Sequence, residues 1–162
     1  MDNKSYFLFI REFIYHISTA LLEYGGRIYQ YVGDEIVVSW PAKKKNYMRS
    51  IQSLISARRN IERNGNWFRR VFGFIPEFKA GFHCGEVTIG EIGVIKKDLA
   101  MSGDAMNTTA RIRDACSELN QKFIISKDFL ERSNLEEWQS ESLGQFELKG
   151  KGISIELFSL KI

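Results

Sequence analysis

Residues 26–37 read Gly26-Arg27-Ile28-Tyr29-Gln30-Tyr31-Val32-Gly33-Asp34-Glu35-Ile36-Val37. β-Branched and aromatic residues flank Gly33-Asp34 on both sides, the pattern of two strands closed by a two-residue turn. Glycine at the first turn position suits a type II′ hairpin, whose geometry demands a positive φ there. Such a turn leaves the Asp34 carboxylate at the hairpin tip. Pro41 and the lysine run 43–45 close this unit.

Upstream of the hairpin, residues 5–24 are predicted as a helix. Ile10, Phe13, Ile14, Ile17 and Leu21 recur at spacings of three and four, and Gly25-Gly26 ends the run. Downstream, a second helix is predicted over 47–64, with Met48, Ile51, Ile55 and Arg58 on one stripe, broken by Asn64-Gly65-Asn66. Residues 67–76 read as a basic, aromatic connection. Two strands over 77–84 and 86–91 are expected to join around Gly85, with a further strand over 94–101. Gly103-Asp104 precedes a helix over 105–119, with Asp104 as its cap. A strand over 123–126, a helical turn over 127–132, and a hairpin of 143–148 with 153–160 around Gly150-Lys151-Gly152 complete the chain. Antiparallel hairpins set between helices indicate an α+β sandwich. A first helix with no strand before it stands out, because its apolar face would normally cover a sheet whose first strand precedes it.

The bulk properties narrow the class. A length of 162 residues suffices for one filled core, and 44% hydrophobic with 27% charged residues matches a globular domain. A net charge of +3 is too mild to point to nucleic acid or an anionic membrane. The basic clusters Lys43 to Lys45, Arg58-Arg59 and Arg69-Arg70 read as solvated surface. Cys84 and Cys116 lack CxxC spacing and read as reduced thiols of a cytosolic domain. On a strand, His83 and Cys84 would face opposite ways, which argues against a shared metal site. No apolar run approaches 18 residues, and the start Met1-Asp2-Asn3-Lys4 is polar, so neither a membrane span nor a signal peptide is expected.

Four stretches together carry a resemblance. The hairpin around Tyr31-Val32-Gly33-Asp34-Glu35 resembles the metal-bearing hairpin of class III adenylate and guanylate cyclases, in their bacterial branch. Residues 82–93, with Gly85, Gly90 and Gly93, resemble that family's glycine-punctuated hairpin. Gly103-Asp104-Ala105-Met106-Asn107-Thr108-Thr109-Ala110-Arg111 is similar to its signature Gly-Asp-x-x-Asn-x-x-x-Arg. Leu148-Lys149-Gly150-Lys151-Gly152 is similar to its closing hairpin. Order and spacing agree over about residues 5–160. The resemblance implies a ferredoxin-like cyclase fold, an antiparallel-rich sheet with helices packed on it, and a homodimer with shared sites. It implies conversion of ATP, or GTP, to a 3′,5′-cyclic nucleotide and pyrophosphate.

It also implies roles. Asp34 would bind Mg²⁺ or Mn²⁺, since two divalent ions held by carboxylates usually serve phosphoryl chemistry. Asn107 and Arg111, four apart on a helix and so on one face, would orient the ribose and stabilise the transition state. Lys149 would hold the nucleotide phosphates. Gln30 and Ala100 occupy the purine-reading positions.

The chain also departs from the family. The family's first metal aspartate ends a strand before the first helix, where this chain begins. Asp2 stands in no strand context and is given no metal role. Residues 1–162 are therefore expected to be a single catalytic domain lacking its first strand. Such a domain should turn over slowly or not at all. The parent protein is expected in the cytoplasm, attached to a membrane if it carries the upstream segments of many relatives. Relatives read the purine with lysine or glutamate where Gln30 stands, and with aspartate, threonine or cysteine where Ala100 stands. Gln30 both donates and accepts, and Ala100 offers no polar group. ATP is expected because it is the commoner substrate in that branch.

Two other readings compete. A non-catalytic cyclase-like domain that binds nucleotide or a partner is favoured by Gln30 and Ala100. A nucleic-acid module built on Trp67, Phe68, Arg69 and Arg70 is disfavoured, because the predicted sheet lacks interleaved aromatics for base stacking.

Overall fold

The computed structural model describes residues 1–92, 98–148 and 152–162. They form two compact units, Met1–Glu77 and Phe78–Ile162.

The first unit opens with helix α1, Asn3–Glu23. Asp2 is its cap, the carboxylate accepting from the Ser5 amide at 2.8 Å. Gly25, at φ +84°, ends it: its amide donates to Leu22 O and that of Gly26 to Leu21 O, closing the exposed carbonyls. Strands β1, Arg27–Val32, and β2, Glu35–Ser39, pair antiparallel as predicted. Helix α2 spans Lys44–Arg63 and buries Tyr47, Ser50, Ile51, Leu54, Ala57 and Ile61. Of the predicted stripe, Ile51 is buried, whereas Met48, Ile55 and Arg58 are half-buried at its margin.

The predicted connection 67–76 is instead largely a helix, α3, Gly65–Phe72. Asn64 ends α2 and begins α3. Gly65 and Phe68 are buried and Phe72 is half-buried on one face, while Arg69 and Arg70 are exposed. Aromatic packing stabilises this short helix. Phe68 is 0% exposed and meets Phe9, His16, Trp67 and Phe72 at ring-centroid distances of 5.1 to 6.4 Å. Phe9 also stacks on Phe13 and meets Phe72 and Phe74.

In the second unit, β3 is Ala80–Phe82, β4 is Thr88–Ile92 and β5 is Asp98–Ser102. Helix α4, Asp104–Glu118, leads to β6, Phe123–Ser126, and to helix α5, Lys127–Arg132. A 3₁₀ turn at Glu137–Gln139 precedes β7, Ser140–Leu148, and β8, Ile153–Leu160. The strands over 77–84 and 86–91 do not pair around Gly85. β3 runs parallel to β6, and β4 pairs antiparallel with β5. Both predicted strands prove shorter than their apolar runs. Within the predicted 94–101 strand, residues 94–97 lie outside the described residues. The main sheet has the order β3-β6-β8-β7, mixed at β3 and antiparallel elsewhere. Ile112, Ala115 and Cys116 of α4 bury against Ile124 and Leu157, with Leu143, Phe146 and Ile155 around them. Among the described residues β2 pairs only with β1, and β3 only with β6.

Candidate active site

The hairpin turn has the predicted form. Gly33 has φ +58°, Asp34 is not left-handed, and Val32 stands opposite Glu35 across a two-residue loop. One positive φ at the first position is the type II′ pattern. Asp34 is exposed at the tip. The Tyr31 and Ser18 hydroxyls lie 3.2 Å apart, tying the hairpin to α1.

One feature of this hairpin escaped the sequence reading. The register shifts between Ile28 and Gln30: Ile28 pairs with Val38, and Gln30 with Val37. Tyr29 is the extra residue of a β-bulge. Partners across a ladder share a face and successive residues alternate. Ile28 and Gln30 therefore face opposite ways, although two residues apart. The bulge puts the exposed Gln30 on the face away from Ile28, Tyr31 and Val38. Nothing in the run of β-formers signals it.

In the second unit, α4 carries Asn107 and Arg111 one turn apart. Asn107 is exposed and Arg111 half-buried, beside the buried face formed by Ala105, Thr108, Ile112, Ala115 and Cys116. Among the described residues neither side chain has a hydrogen-bond or ion-pair partner, which leaves the guanidinium fork free for an anion. Asp104 does not cap this helix. Gly103 is the N-cap and Asp104 the first helical residue, where a carboxylate favours the helix dipole. Ala100 stands in β5 opposite Gly90. Lys149 lies outside the described residues, as do Gly93, Gly150 and Lys151 of the quoted motifs. Thus Gln30 and Asp34 belong to the first unit, and Ala100, Asn107 and Arg111 to the second.

Among the described residues no group of three or more His, Cys, Asp or Glu could hold a metal ion. Asp34 offers one exposed carboxylate, at most part of a metal site among the described residues. Neither Cys84 nor Cys116 is in a disulfide. His83 and Cys84 lie beyond the end of β3. His83 Nδ1 is hydrogen-bonded to Ser126 Oγ at 2.7 Å, and Arg132 donates to the Cys84 sulfur at 3.6 Å. Ser126 also caps α5 through the Phe129 amide at 3.2 Å. A hollow of about 250 Å³ beside this bond is lined by His83, Ser126, Lys127, Asp128, Gln145 and Glu156, and holds none of the predicted site residues.

No protein-family model matches the sequence. Adenylate cyclase 2 of Rhizobium meliloti (strain 1021) is 35% identical over 151 residues, covering 89% of this chain and 40% of that protein. A terminal-differentiation-specific adenylate cyclase of Dictyostelium discoideum is 21% identical over 160 residues, 94% of this chain and 7% of its own. The chain thus spans well under half the length of these relatives. Among solved structures, the adenylyl cyclase CyaB from P. aeruginosa superposes with a TM-score of 0.81 at 19% identity, covering 99% of this chain and 84% of that one. A guanylyl cyclase follows at 0.80 and 17%, covering 99% and 82%. The guanylate cyclase domain of RhGC from Catenaria anguillulae, solved in complex with GTP, scores 0.68 at 15%, covering 99% and 85%. The α+β fold is therefore that of nucleotide cyclase catalytic domains. In sequence and in fold the chain is similar to adenylate and guanylate cyclases.

Proposed function

We propose that this chain is the catalytic domain of a nucleotide cyclase, converting ATP in preference to GTP into the 3′,5′-cyclic nucleotide and pyrophosphate. The observation that carries the reading is the Asn107–Arg111 pair: one turn apart on a helix anchored in the core, and without protein partners among the described residues. In cyclisation the ribose 3′-oxygen attacks the α-phosphorus and pyrophosphate leaves, so the protein must hold the ribose and stabilise spreading negative charge. The Asn107 amide holds the ribose. The planar Arg111 fork meets the phosphoryl oxygens as charge grows on them. Lys149 holds the leaving phosphates, and Gln30 with Ala100 borders the purine.

A divalent ion, Mg²⁺ or Mn²⁺, would supply charge neutralisation. Asp34 would hold it, in keeping with the one or two carboxylates that Mg²⁺ commonly takes. The proposed assembly is a homodimer in which each site takes Asp34 from one copy and Asn107 with Arg111 from the other. Residues 1–162 would act as one catalytic domain lacking a first strand, a reading supported by β2 and β3, each of which pairs with a single strand among the described residues. No helix among the described residues is long and apolar enough to cross a membrane. The proposed location is the cytoplasm, in keeping with two cysteines that are not in a disulfide, and no nucleic-acid partner is proposed. A second reading, a cyclase-like domain that binds nucleotide without turning it over, draws support from the weakly discriminating Gln30 and the apolar Ala100.

The test is cyclic nucleotide formation by the purified chain with Mn²⁺ and ATP, then GTP. Slow turnover is expected. Arg111→Ala should cut it by about 100-fold or more, the scale of losing one transition-state donor, with the melting temperature held. Turnover indifferent to that substitution refutes the site. Metal-dependent nucleotide binding with no product fits both readings, and product still absent once a strand before α1 is supplied supports the second.

A further inference from the structure

Two glycines press on α4, one before Asn107 and one after Arg111. A Cβ on Gly85 would stand 2.8 Å from the Ala105 Cβ. A Cβ on Gly81 would stand 2.7 Å from the Arg113 amide nitrogen and 3.0 Å from Ile112 Cγ2. Ordinary van der Waals contact begins at 3.4 Å. Neither glycine has a left-handed φ, so closeness rather than backbone conformation requires the absence of a side chain. β3 and the segment after it therefore touch the helix with no side chain between them. The touching positions, Ala105 and Ile112–Arg113, bracket the pair. A third close approach lies at the helix start, where a Cβ on Gly103 would stand 2.8 Å from Glu86 O. Ala105 and Ile112 are buried, so these close contacts add to the packing of Ile112, Ala115 and Cys116 that holds the helix.

We propose that Gly81 and Gly85 are positioning residues: the side chains they lack set the height and tilt of α4, and so where Asn107 and Arg111 present their donors. This rests on the reading of that pair as the reacting groups. A stiff helix held at two points turns a local displacement into a shift of everything between them. Donors aimed at developing charge lose their effect when misplaced by about half an ångström.

The test is a rescue experiment. In Gly85→Ala the new Cβ meets the Ala105 Cβ; Ala105→Gly removes that atom. Turnover of Mn²⁺-ATP, KM, melting temperature and amide exchange across α4 are measured for Gly85→Ala, Ala105→Gly and the double variant. Gly85→Ala should lower kcat about 10- to 100-fold, with KM within about threefold. The double variant should regain kcat while its melting temperature stays low, because glycine in the first turn of α4 loses more backbone freedom on folding than alanine does. That divergence is one a purely structural role would not produce. Gly85→Ala with full kcat, or a double variant that recovers nothing, overturns the proposal. Amide exchange reads the clamp without turnover. Exchange over 105–111 should quicken in Gly85→Ala and slow again in the double variant, and an unchanged pattern overturns the clamp even in an inactive protein. Turnover insensitive to Arg111→Ala would instead remove the site reading and leave the clamp to the exchange data.

Discussion

Cys116 is 0% exposed on α4, its thiol directed at the carbonyls of Ala80 and Ile112. Burial pushes its pKa from 9.0 up to about 11. The unfolded thiol therefore ionises first as pH rises. The folded state keeps the full benefit below about 9 and loses it as pH climbs to about 11. The melting temperature should fall more steeply over that window in the unmodified chain than in Cys116→Ala. At pH 8, iodoacetamide should modify the half-buried Cys84 and spare Cys116; a labelled Cys116 in folded protein would contradict the burial. Single residues also show how far local pattern reaches. Asp34 and Gly33 were legible because turn chemistry is decided by two adjacent residues. The orientation of Gln30 was not, because a bulge depends on how the partner strand aligns. Asp104 stands one place inside the expected cap, since Gly103 takes the N-cap position at φ +144°, a conformation that residues with side chains rarely adopt.

Among the elements, α3 is the instructive miss. Asn64-Gly65-Asn66 reads as a break, and glycine opposes helix by roughly 1 kcal/mol. Phe68 overrides that cost by inserting among aromatic rings supplied by α1. Phe68→Ala should therefore destabilise the chain by about 3–5 kcal/mol, measured by urea unfolding. A loss below about 1 kcal/mol would mean that the aromatic cluster contributes little. The same physics explains β3 and β4. Aromatic or β-branched residues stand beside glycines there, Phe78 and Phe82 in one stretch and Val87, Thr88 and Ile89 in the other, so strands were predicted. Their partners are β6 and β5, and that choice is made by long-range packing that no local period encodes. By contrast, β6, α5 and β8 were predicted to the residue, because short apolar runs and a serine cap define them locally.

At the scale of the whole molecule, the residues read as one site are divided between two compact units, Gln30 and Asp34 in one and Asn107 and Arg111 in the other. In the proposed dimer each site takes Asp34 from one copy and Asn107 with Arg111 from the other. Mixing inactive Asp34→Asn with inactive Arg111→Ala should then restore activity, because the mixed dimer regenerates one intact site. A quarter of wild-type turnover is expected at equal mixing, since about half the dimers are mixed and each has one good site of two. No recovery despite mixed dimers shown by native mass spectrometry would contradict sharing.

Periodicity, turn residues and motif order, all short-range properties, determined the hairpin with its exposed carboxylate, the helices α1, α2 and α4, and the kinship with nucleotide cyclases. Tertiary structure alone decided that residues 65–72 form a helix, that β3 runs parallel to β6, that a bulge re-aims Gln30, and that two glycines hold α4 at close range. Each of these depends on contacts between residues distant in the chain. Their free energy comes from burial and close packing, which the local pattern of residues does not carry.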